Sequence, residues 1–206
     1  MIRSFAASDF WNTKDRDSWT PDEIAKLLKK SPWAKEITGE RTATRKVTDP
    51  SISPMPMPYP SSRPRANPKP PKSGSTKVVT EYKGLVVWES AQVIRDAAKT
   101  PLPDGFEGQY VLSVTGVPLT KSSSQNALDR VRQATTLQVK GRDPLEPATV
   151  QQNSGNGAIY YMGFSKEALP ITKDDKDVLF TTHIGKVVFT AKFSPKDMLY
   201  HGELAV

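Results

Sequence analysis

The sequence predicts an α+β fold, with a mixed or antiparallel sheet that carries helices on one face. Residues 78–206 read as strand, helix, strand, helix and strand, followed by antiparallel strands, which is an order typical of α+β folds. Residues 1–40 read as a short helical element, and residues 41–77 are rich in proline and positive charge. The chain of 206 residues therefore divides into an N-terminal docking element, an extended linker and one globular domain.

The first helix is predicted from a complete set of start signals around Thr20. Thr20 suits the N-cap, Pro21 suits the first helical position, and Glu23 lies where a capping box places its acidic residue. Trp19 and Ile24 occupy the two positions of a hydrophobic staple. The local sequence thus predicts a helix that begins directly after Thr20.

A second short helix is predicted from the motif Ser31-Pro32-Trp33, which repeats the serine cap and the first-turn proline and leads to Ile37. Helices this short are marginal in water, so their apolar side chains need a partner surface. That surface is either a groove in another protein or the chain's own globular domain, and both alternatives stay open. The residues predicted to make this contact are Trp11, Trp19, Ile24, Leu27, Leu28 and Trp33.

The linker holds the entire charge excess of the chain. Residues 41–77 contain eight Lys or Arg and one Asp, so 8 − 1 = +7, which equals the formal net charge of the whole protein. Nine of the eighteen prolines also lie here, which predicts an extended, solvated segment. The favoured reading is a spacer, and the alternative is binding to nucleic acid or another polyanion. The candidate residues for that alternative are Arg63, Arg65, Lys69 and Lys72.

The globular domain is predicted from alternating apolar patterns. Its strands are GLVVWES, QYVLSVTGV, TLQVK, GAIYYMGFS, both arms of DVLFTTHIGKVVFTAKF with a turn at about Ile184 to Lys186, and MLYHGELAV as a last edge strand. Its helices are a segment that Ser90 caps and that runs to about Lys99, with Ala91, Ile94 and Ala98 on one side, and SSSQNALDRVRQAT with Leu128 and Val131 inward.

Residues that could carry chemistry are few, and the sequence predicts neither an enzyme nor a cofactor or metal site. The chain has no cysteine, which excludes disulfides, thiolate metal sites and cysteine nucleophiles. His183 and His201 are not spaced as metal ligands, and His183 is expected to be an ordinary strand residue. The acidic run at 174–177 lacks the glycine and distal glutamate of a calcium loop and is expected to be a loop before a strand.

Two stretches resemble the ends of an uncharacterised, mainly acidobacterial family of exported proteins. They are DFWNTKDRDSWTPDEIAKLLKKSPWAKEI and ITKDDKDVLFTTHIGKVVFTAKFSPKDMLYHGELAV. The resemblance implies a periplasmic or cell-envelope location and supplies no activity, cofactor or site residue. The first ten residues contain no apolar run of the kind found in export signals, which leaves the cytoplasm open.

These observations predict a non-catalytic structural or protein-interaction module of the cell envelope, in which a folded domain is tethered to a tryptophan-rich docking helix. Binding of nucleic acid or another polyanion through the basic linker is the alternative. No run of consecutive apolar residues is long enough to span a membrane. The sequence leaves the oligomeric state open.

Overall fold

The computed structural model describes residues 9–47, 74–117, 125–153 and 159–206, and it has the α+β fold that the sequence predicts. The helices are α1 (Phe10–Thr13), α2 (Pro21–Lys29), α3 (Gln92–Ala98) and α4 (Gln125–Gln133), with 3₁₀ turns at Arg16–Ser18 and Pro195–Asp197. The strands are β1 (Ala34–Val47), β2 (Gly74–Trp88), β3 (Gln109–Thr115), β4 (Thr135–Val139), β5 (Thr149–Asn153), β6 (Ile159–Ser165), β7 (Val178–Ile184), β8 (Val187–Phe193), β9 (Leu199–Tyr200) and β10 (Glu203–Leu204).

The strands form two larger sheets and one small ribbon. The five-stranded sheet has the order β1-β2-β3-β6-β5, and the three-stranded sheet has the order β4-β7-β8. The pairs β2–β3, β3–β6, β5–β6, β4–β7 and β7–β8 are all antiparallel. The ribbon consists of β9 and β10 alone.

The chain divides into two compact units. One unit contains residues 1–40 together with 81–206, and the other contains residues 41–80. In the second unit, β1 continues to Val47 and β2 begins at Gly74, so both described ends of the segment predicted as a linker are strands. Its central part, residues 48–73, lies outside the described residues.

The hairpin of β7 and β8 forms as its alternating sequence predicts. Inward side chains such as Phe180 and Phe189 are buried, while every second residue of β8 is exposed. The two strands pair from Ile184 opposite Val187, which leaves a two-residue turn at Gly185 and Lys186. Gly185 has a φ of +66°, a conformation that glycine adopts without steric cost and that this type of hairpin turn requires.

The predicted second helix after Ser31 is wrong, because that segment turns into β1. Ser31 accepts hydrogen bonds at its Oγ from the backbone N–H groups of Trp33 and Ala34, each at 3.2 Å, so it caps a turn. From Glu36 onward, exposed and buried residues alternate, with Ile37 buried. This period of two is the pattern of a strand with one face toward the core.

Two smaller predictions in the globular domain also need correction. Ser90 does not cap α3, because its Oγ accepts a hydrogen bond from the Val111 N–H at 3.1 Å and Ala91 is the N-cap residue. The last segment is not one edge strand, because the chain reverses at His201 and Gly202, which have φ values of +50° and +82°. These two residues make the tight turn that separates β9 from β10.

The two sheets pack on each other around one hydrophobic core. The Trp88 ring of β2 meets the Phe193 ring of β8 edge to face, with 5.2 Å between ring centroids. Phe164 of β6 meets Phe180 of β7 in the same way at 6.3 Å. Edge-to-face aromatic pairs stabilise the packing beyond their buried area. The core therefore lies between the inner faces of the five-stranded and the three-stranded sheet.

Gly39 lets β1 approach β8 closely. A Cβ atom built at residue 39 would lie 2.8 Å from the carbonyl oxygen of Val188 and 2.8 Å from a ring carbon of Phe189, and it would clash with the side chain of Val187. Real Cβ atoms almost never come so close to a backbone oxygen. The absence of a side chain at residue 39 is thus required for this contact.

We expect Gly39→Ala to lower the free energy of unfolding by about 1–3 kcal/mol, the usual cost of overpacking a filled interior. Chemical denaturation measures the change. The control is Glu40→Ala at the neighbouring exposed residue, for which a change within about 0.5 kcal/mol is expected. Equal stability of the Gly39→Ala variant and the wild type would show that β1 does not pack against β8 as described.

Candidate functional site

The six residues predicted to contact a partner all belong to the hydrophobic core of the chain. Trp11 and Trp33 are 2% and 0% exposed, and Trp19 and Leu27 are also buried. Ile24 and Leu28 are partly buried and pack against the same core. In this structure the N-terminal element therefore covers its own globular domain.

Trp33 is the central contact of this N-terminal layer. Its indole Nε1–H donates a hydrogen bond of 2.6 Å to the carbonyl oxygen of Ala205, and its own carbonyl accepts one of 2.8 Å from the Trp88 N–H. The Trp11 ring packs edge to face on Trp33, with 5.6 Å between centroids. One residue thus links the N-terminal layer to β2, through its backbone carbonyl, and to the segment after β10, through its side chain.

Asp96 of α3 holds a second junction of the same layer. One of its carboxylate oxygens accepts hydrogen bonds from Gln92 at 3.0 Å and from Arg16 at 3.5 Å. The other oxygen accepts a hydrogen bond from the Tyr200 hydroxyl at 3.3 Å. Trp19 also packs beside Tyr200, with 6.4 Å between ring centroids. The N-terminal element, α3 and the ribbon therefore meet at one carboxylate.

Helix α2 begins as the sequence predicts. Thr20 and Glu23 form the complete capping box, because each side chain bonds the backbone N–H of the other residue. Lys14 adds an ion pair of 2.6 Å to the same glutamate. These bonds, with that of Lys14 first, lower the pKa of Glu23 below its ordinary value. The start of α2 is thus held by both a cap and a charge.

The remaining sequence candidates separate into three groups. The four residues of the polyanion alternative, at positions 63, 65, 69 and 72, lie outside the described residues. His183 is exposed on β7, and His201 lies in the turn of the ribbon. The acidic run is a loop before β7, as predicted, and its carboxylates pair with cations: Asp175 with Arg142 at 2.9 Å and Asp177 with Lys192 at 3.1 Å.

The outer face of the three-stranded sheet is an exposed surface that the sequence reasoning missed. On this face, Leu179 is 38% exposed and Val188 is 48% exposed. Thr181 lies between them along the hairpin, directly opposite Thr190 of β8. The signal was present in the sequence, because both aliphatic residues occupy the phase of the alternating pattern that points away from the core.

A groove runs along one side of this outer face. It has a volume of about 330 Å³ and is lined by Gln138, Lys140, Gly141, Asp177, Leu179 and Lys192. The lining combines one aliphatic side chain with two lysines, of which Lys192 is already paired with Asp177. An apolar contact flanked by positive charge is therefore available at the surface.

A partly buried carboxyl group lies at the end of β2 in the five-stranded sheet, and the sequence reasoning missed it as well. Glu89 follows β2 and accepts a hydrogen bond of 2.6 Å from the hydroxyl of Ser113 on β3. Burial raises the pKa of Glu89 above its ordinary value of 4.5, and the bond from Ser113 lowers it in part. Tyr161, which lies opposite Ser113 on β6, has a pKa raised by burial and then by the charge of Glu89.

This carboxyl–hydroxyl pair can hold a proton, but it does not present a nucleophile. Ser113 is only 1% exposed, so its Oγ is not open to a substrate in this structure. Neither His183 nor His201 is a partner of either group. Sequence reasoning missed the pair because the two residues meet only through the register of β2 and β3, which a single sequence does not reveal.

Two further findings concern metals and membranes. Across residues 9–47, 74–117, 125–153 and 159–206, no group of three or more acidic or histidine side chains is arranged to hold a metal ion. Within those same ranges, no helix is long and apolar enough to cross a membrane.

Comparisons with protein families, with characterised proteins and with solved structures find no match to this chain.

The N-terminal layer predicts a specific stability effect at Trp33. We expect Trp33→Phe to lower the free energy of unfolding by at least about 1–3 kcal/mol, because it leaves the Ala205 carbonyl without its buried donor. The matched control is Trp19→Phe, whose indole donates a longer bond of 3.4 Å to the Lys14 carbonyl. A smaller loss is expected there, and equal losses in denaturation experiments would contradict the special role of Trp33.

Glu89 predicts a pH dependence of stability with a defined sign. Because its pKa is higher in the folded than in the unfolded state, its contribution is fully present below pH 4.5 and is lost as the pH rises toward the folded pKa. We therefore expect Glu89→Gln to gain stability relative to wild type as the pH rises above 4.5. The hydrogen bond from Ser113 lowers the pKa of Glu89, so Ser113→Ala should raise that pKa further. The pH range over which the stability contribution of Glu89 is lost should then extend to higher pH. Parallel stability curves of wild type and Glu89→Gln would contradict the assignment.

Proposed function

We propose that this chain is a non-catalytic protein-interaction module that binds its partner with the outer face of the three-stranded sheet. The observation that carries this proposal is the exposure of Leu179 and Val188 on a sheet whose other face is buried in the core. Contiguous apolar surface on a folded protein marks contact sites, and these two side chains lie on one face with only Thr181 and Thr190 between them.

The charges around the groove indicate the chemistry of the partner. Lys140 and Lys192 flank Leu179, and Asp177 offsets only one of these two positive charges. A partner surface with an apolar centre and an acidic rim is complementary to this arrangement, and such complementarity favours both specificity and fast association. We therefore assign the outer face to a protein partner with an acidic, partly apolar surface.

The N-terminal tryptophans support this choice by their burial. Docking through Trp11 or Trp33 would require the N-terminal layer to leave the core, where Trp33 donates to Ala205. Uncovering large aromatic side chains costs about 1.5–3 kcal/mol for each one. The outer face requires no such opening, so it is the preferred contact surface.

The proposed location in the cell envelope depends on the resemblance of the two ends of the chain to an exported family. The non-catalytic assignment draws support from the chemistry of the described residues, in which the hydroxyl of Ser113 is buried beside Glu89. Binding through the outer face is independent of location, so the two parts of the proposal stand separately.

The double variant Leu179→Asp with Val188→Asp tests the proposal. We expect the wild-type full chain to retain a partner protein from a lysate of the source organism, and the purified pair to lose at least about tenfold in affinity with the double variant, the effect of losing a central contact. Binding should also weaken as salt is added, because Lys140 and Lys192 contribute. Isothermal titration calorimetry measures both effects.

The matched control is Val78→Asp with Val79→Asp, which places the same two charges at exposed valines of β2. The control should bind the partner like wild type. Retention of the partner by the double variant would overturn the proposal. A dimer of the wild type that the double variant dissociates, seen by light scattering, would replace the separate partner with a second copy of this chain.

A further inference from the structure

A second groove is lined entirely by charged residues, unlike the groove on the outer face, which includes Leu179. It has a volume of about 370 Å³ and lies between the 3₁₀ turn Arg16–Ser18 and the C-terminal end of α3. Its lining residues are Arg16, Asp17, Arg95, Asp96 and Lys99. Most of the surface of this groove is polar, so a ligand that fits it is recognised mainly by charge and hydrogen bonds.

The acidic residue at the base of the groove is already engaged by the fold. Asp96 has a side chain only 10% exposed, and it accepts hydrogen bonds from Gln92, Arg16 and the Tyr200 hydroxyl. Its negative charge is therefore balanced within the protein. Asp17 is highly exposed and lies 3.9 Å from Arg16, which is the range of a weak, solvent-screened pair.

The cationic side chains of the groove outnumber these two carboxylates. Arg95 lies in the last turn of α3, and Lys99 is the C-cap residue that follows the helix, so both positive charges lie at the same helix end. Lys166 carries a further positive charge near Arg95, but it does not line the groove, and its ammonium donates a hydrogen bond of 3.1 Å to the backbone oxygen of Val206. The lining itself has three cations, at positions 16, 95 and 99, against two carboxylates, at 17 and 96, so 3 − 2 = +1.

The helix dipole explains only part of the excess positive charge of the groove. Cations at the last turn of α3 are favoured by the carbonyl groups at the helix end, which accounts for Arg95 and Lys99. It does not account for Arg16, which lies in the 3₁₀ turn Arg16–Ser18 on the other side of the groove. Lys99 also ends α3 with a φ of +52°, a conformation in which glycine is usual and a side chain costs energy. A lysine at this position brings a further ammonium group to the groove.

We propose that this groove binds an oxyanion of the phosphate class, held by Arg95 and Lys99 with Arg16 at the opposite wall. Arg95 is oriented by a hydrogen bond of 2.6 Å from one of its terminal nitrogens to Gln92, and its other N–H groups are not used in that bond. A planar guanidinium with two or more donors and a neighbouring ammonium is a common way to bind a phosphate group. This inference is independent of the proposed protein contact on the outer face.

Titration of the ¹⁵N-labelled full chain with sodium phosphate at constant ionic strength tests the inference. We expect saturable amide shifts confined to residues 16–17 and 95–99. The double variant Arg95→Gln with Lys99→Gln should bind phosphate at least about tenfold more weakly, the effect of removing charge-assisted bonds. The conservative variant Lys99→Arg should keep the binding, because it retains the positive charge.

The matched control is Lys173→Gln with Lys176→Gln, which removes the same charge from exposed residues outside the groove. It should bind phosphate like wild type, and the unshifted resonances of each variant report that its fold is intact. Non-saturating shifts spread over all lysines, or equal weakening in both double variants, would overturn the site.

Vesicles of phosphatidylcholine with and without phosphatidic acid then separate the two sources of a phosphate group. Binding only to vesicles that contain phosphatidic acid, and its loss with Arg95→Gln and Lys99→Gln, assigns the groove to a lipid headgroup. Saturable binding of free phosphate without vesicle binding assigns it to a soluble phosphate compound. An equal response of wild type and the groove variant to both probes contradicts the proposal.

Discussion

Trp33 connects three distant parts of the chain, and the N-terminal layer is organised around it. Its ring is fully buried, and a buried indole N–H that lacks an acceptor costs about 1–3 kcal/mol. The acceptor is the carbonyl of Ala205, while the Trp33 carbonyl holds the N–H of Trp88 at the end of β2. Trp11 packs edge to face on the ring that these bonds hold. The capping box of α2 sets where that helix starts, but the contacts of Trp33 set where the whole layer lies.

The arrangement of the sheets determines which surfaces remain for function. The inner faces of the two sheets share one core, and the N-terminal layer joins the same core, so the large aromatic residues are used for stability. The outer face of the three-stranded sheet keeps Leu179 and Val188 at the surface. β4 is one of the two edge strands of that sheet, and Leu137 of β4 forms an isolated antiparallel bridge with Leu145. Covering an edge strand discourages nonspecific strand pairing. The groups that this sheet offers to a partner are therefore the side chains of its outer face and not the backbone of β4.

Local signals in the sequence were sufficient wherever neighbouring residues determine the structure. The capping box at Thr20 and the hairpin that turns at Gly185 are both fixed by short-range chemistry. The segment after Ser31 was misread because serine and proline start helices and turns alike, and the partner that decides between them, Ala205, is 172 residues away. The pair of Glu89 and Ser113 could not be predicted either, since it depends on strand register. The surface groove at α3 requires a 3₁₀ turn and a helix end to meet that are about 80 residues apart in the sequence, and sequence periodicity does not indicate such a contact.

The bond between Trp33 and Ala205 also sets an order of events during synthesis. Residues 9–33 leave the ribosome before the strands of the globular domain, and the carbonyl that satisfies their central indole belongs to a segment made 172 residues later. The N-terminal layer is therefore completed only after the residues of both sheets have been made, and its aromatic side chains lack their native cover until then. The nascent chain presents these tryptophans to chaperones until Ala205 has left the ribosome. In the folded structure the same side chains are buried.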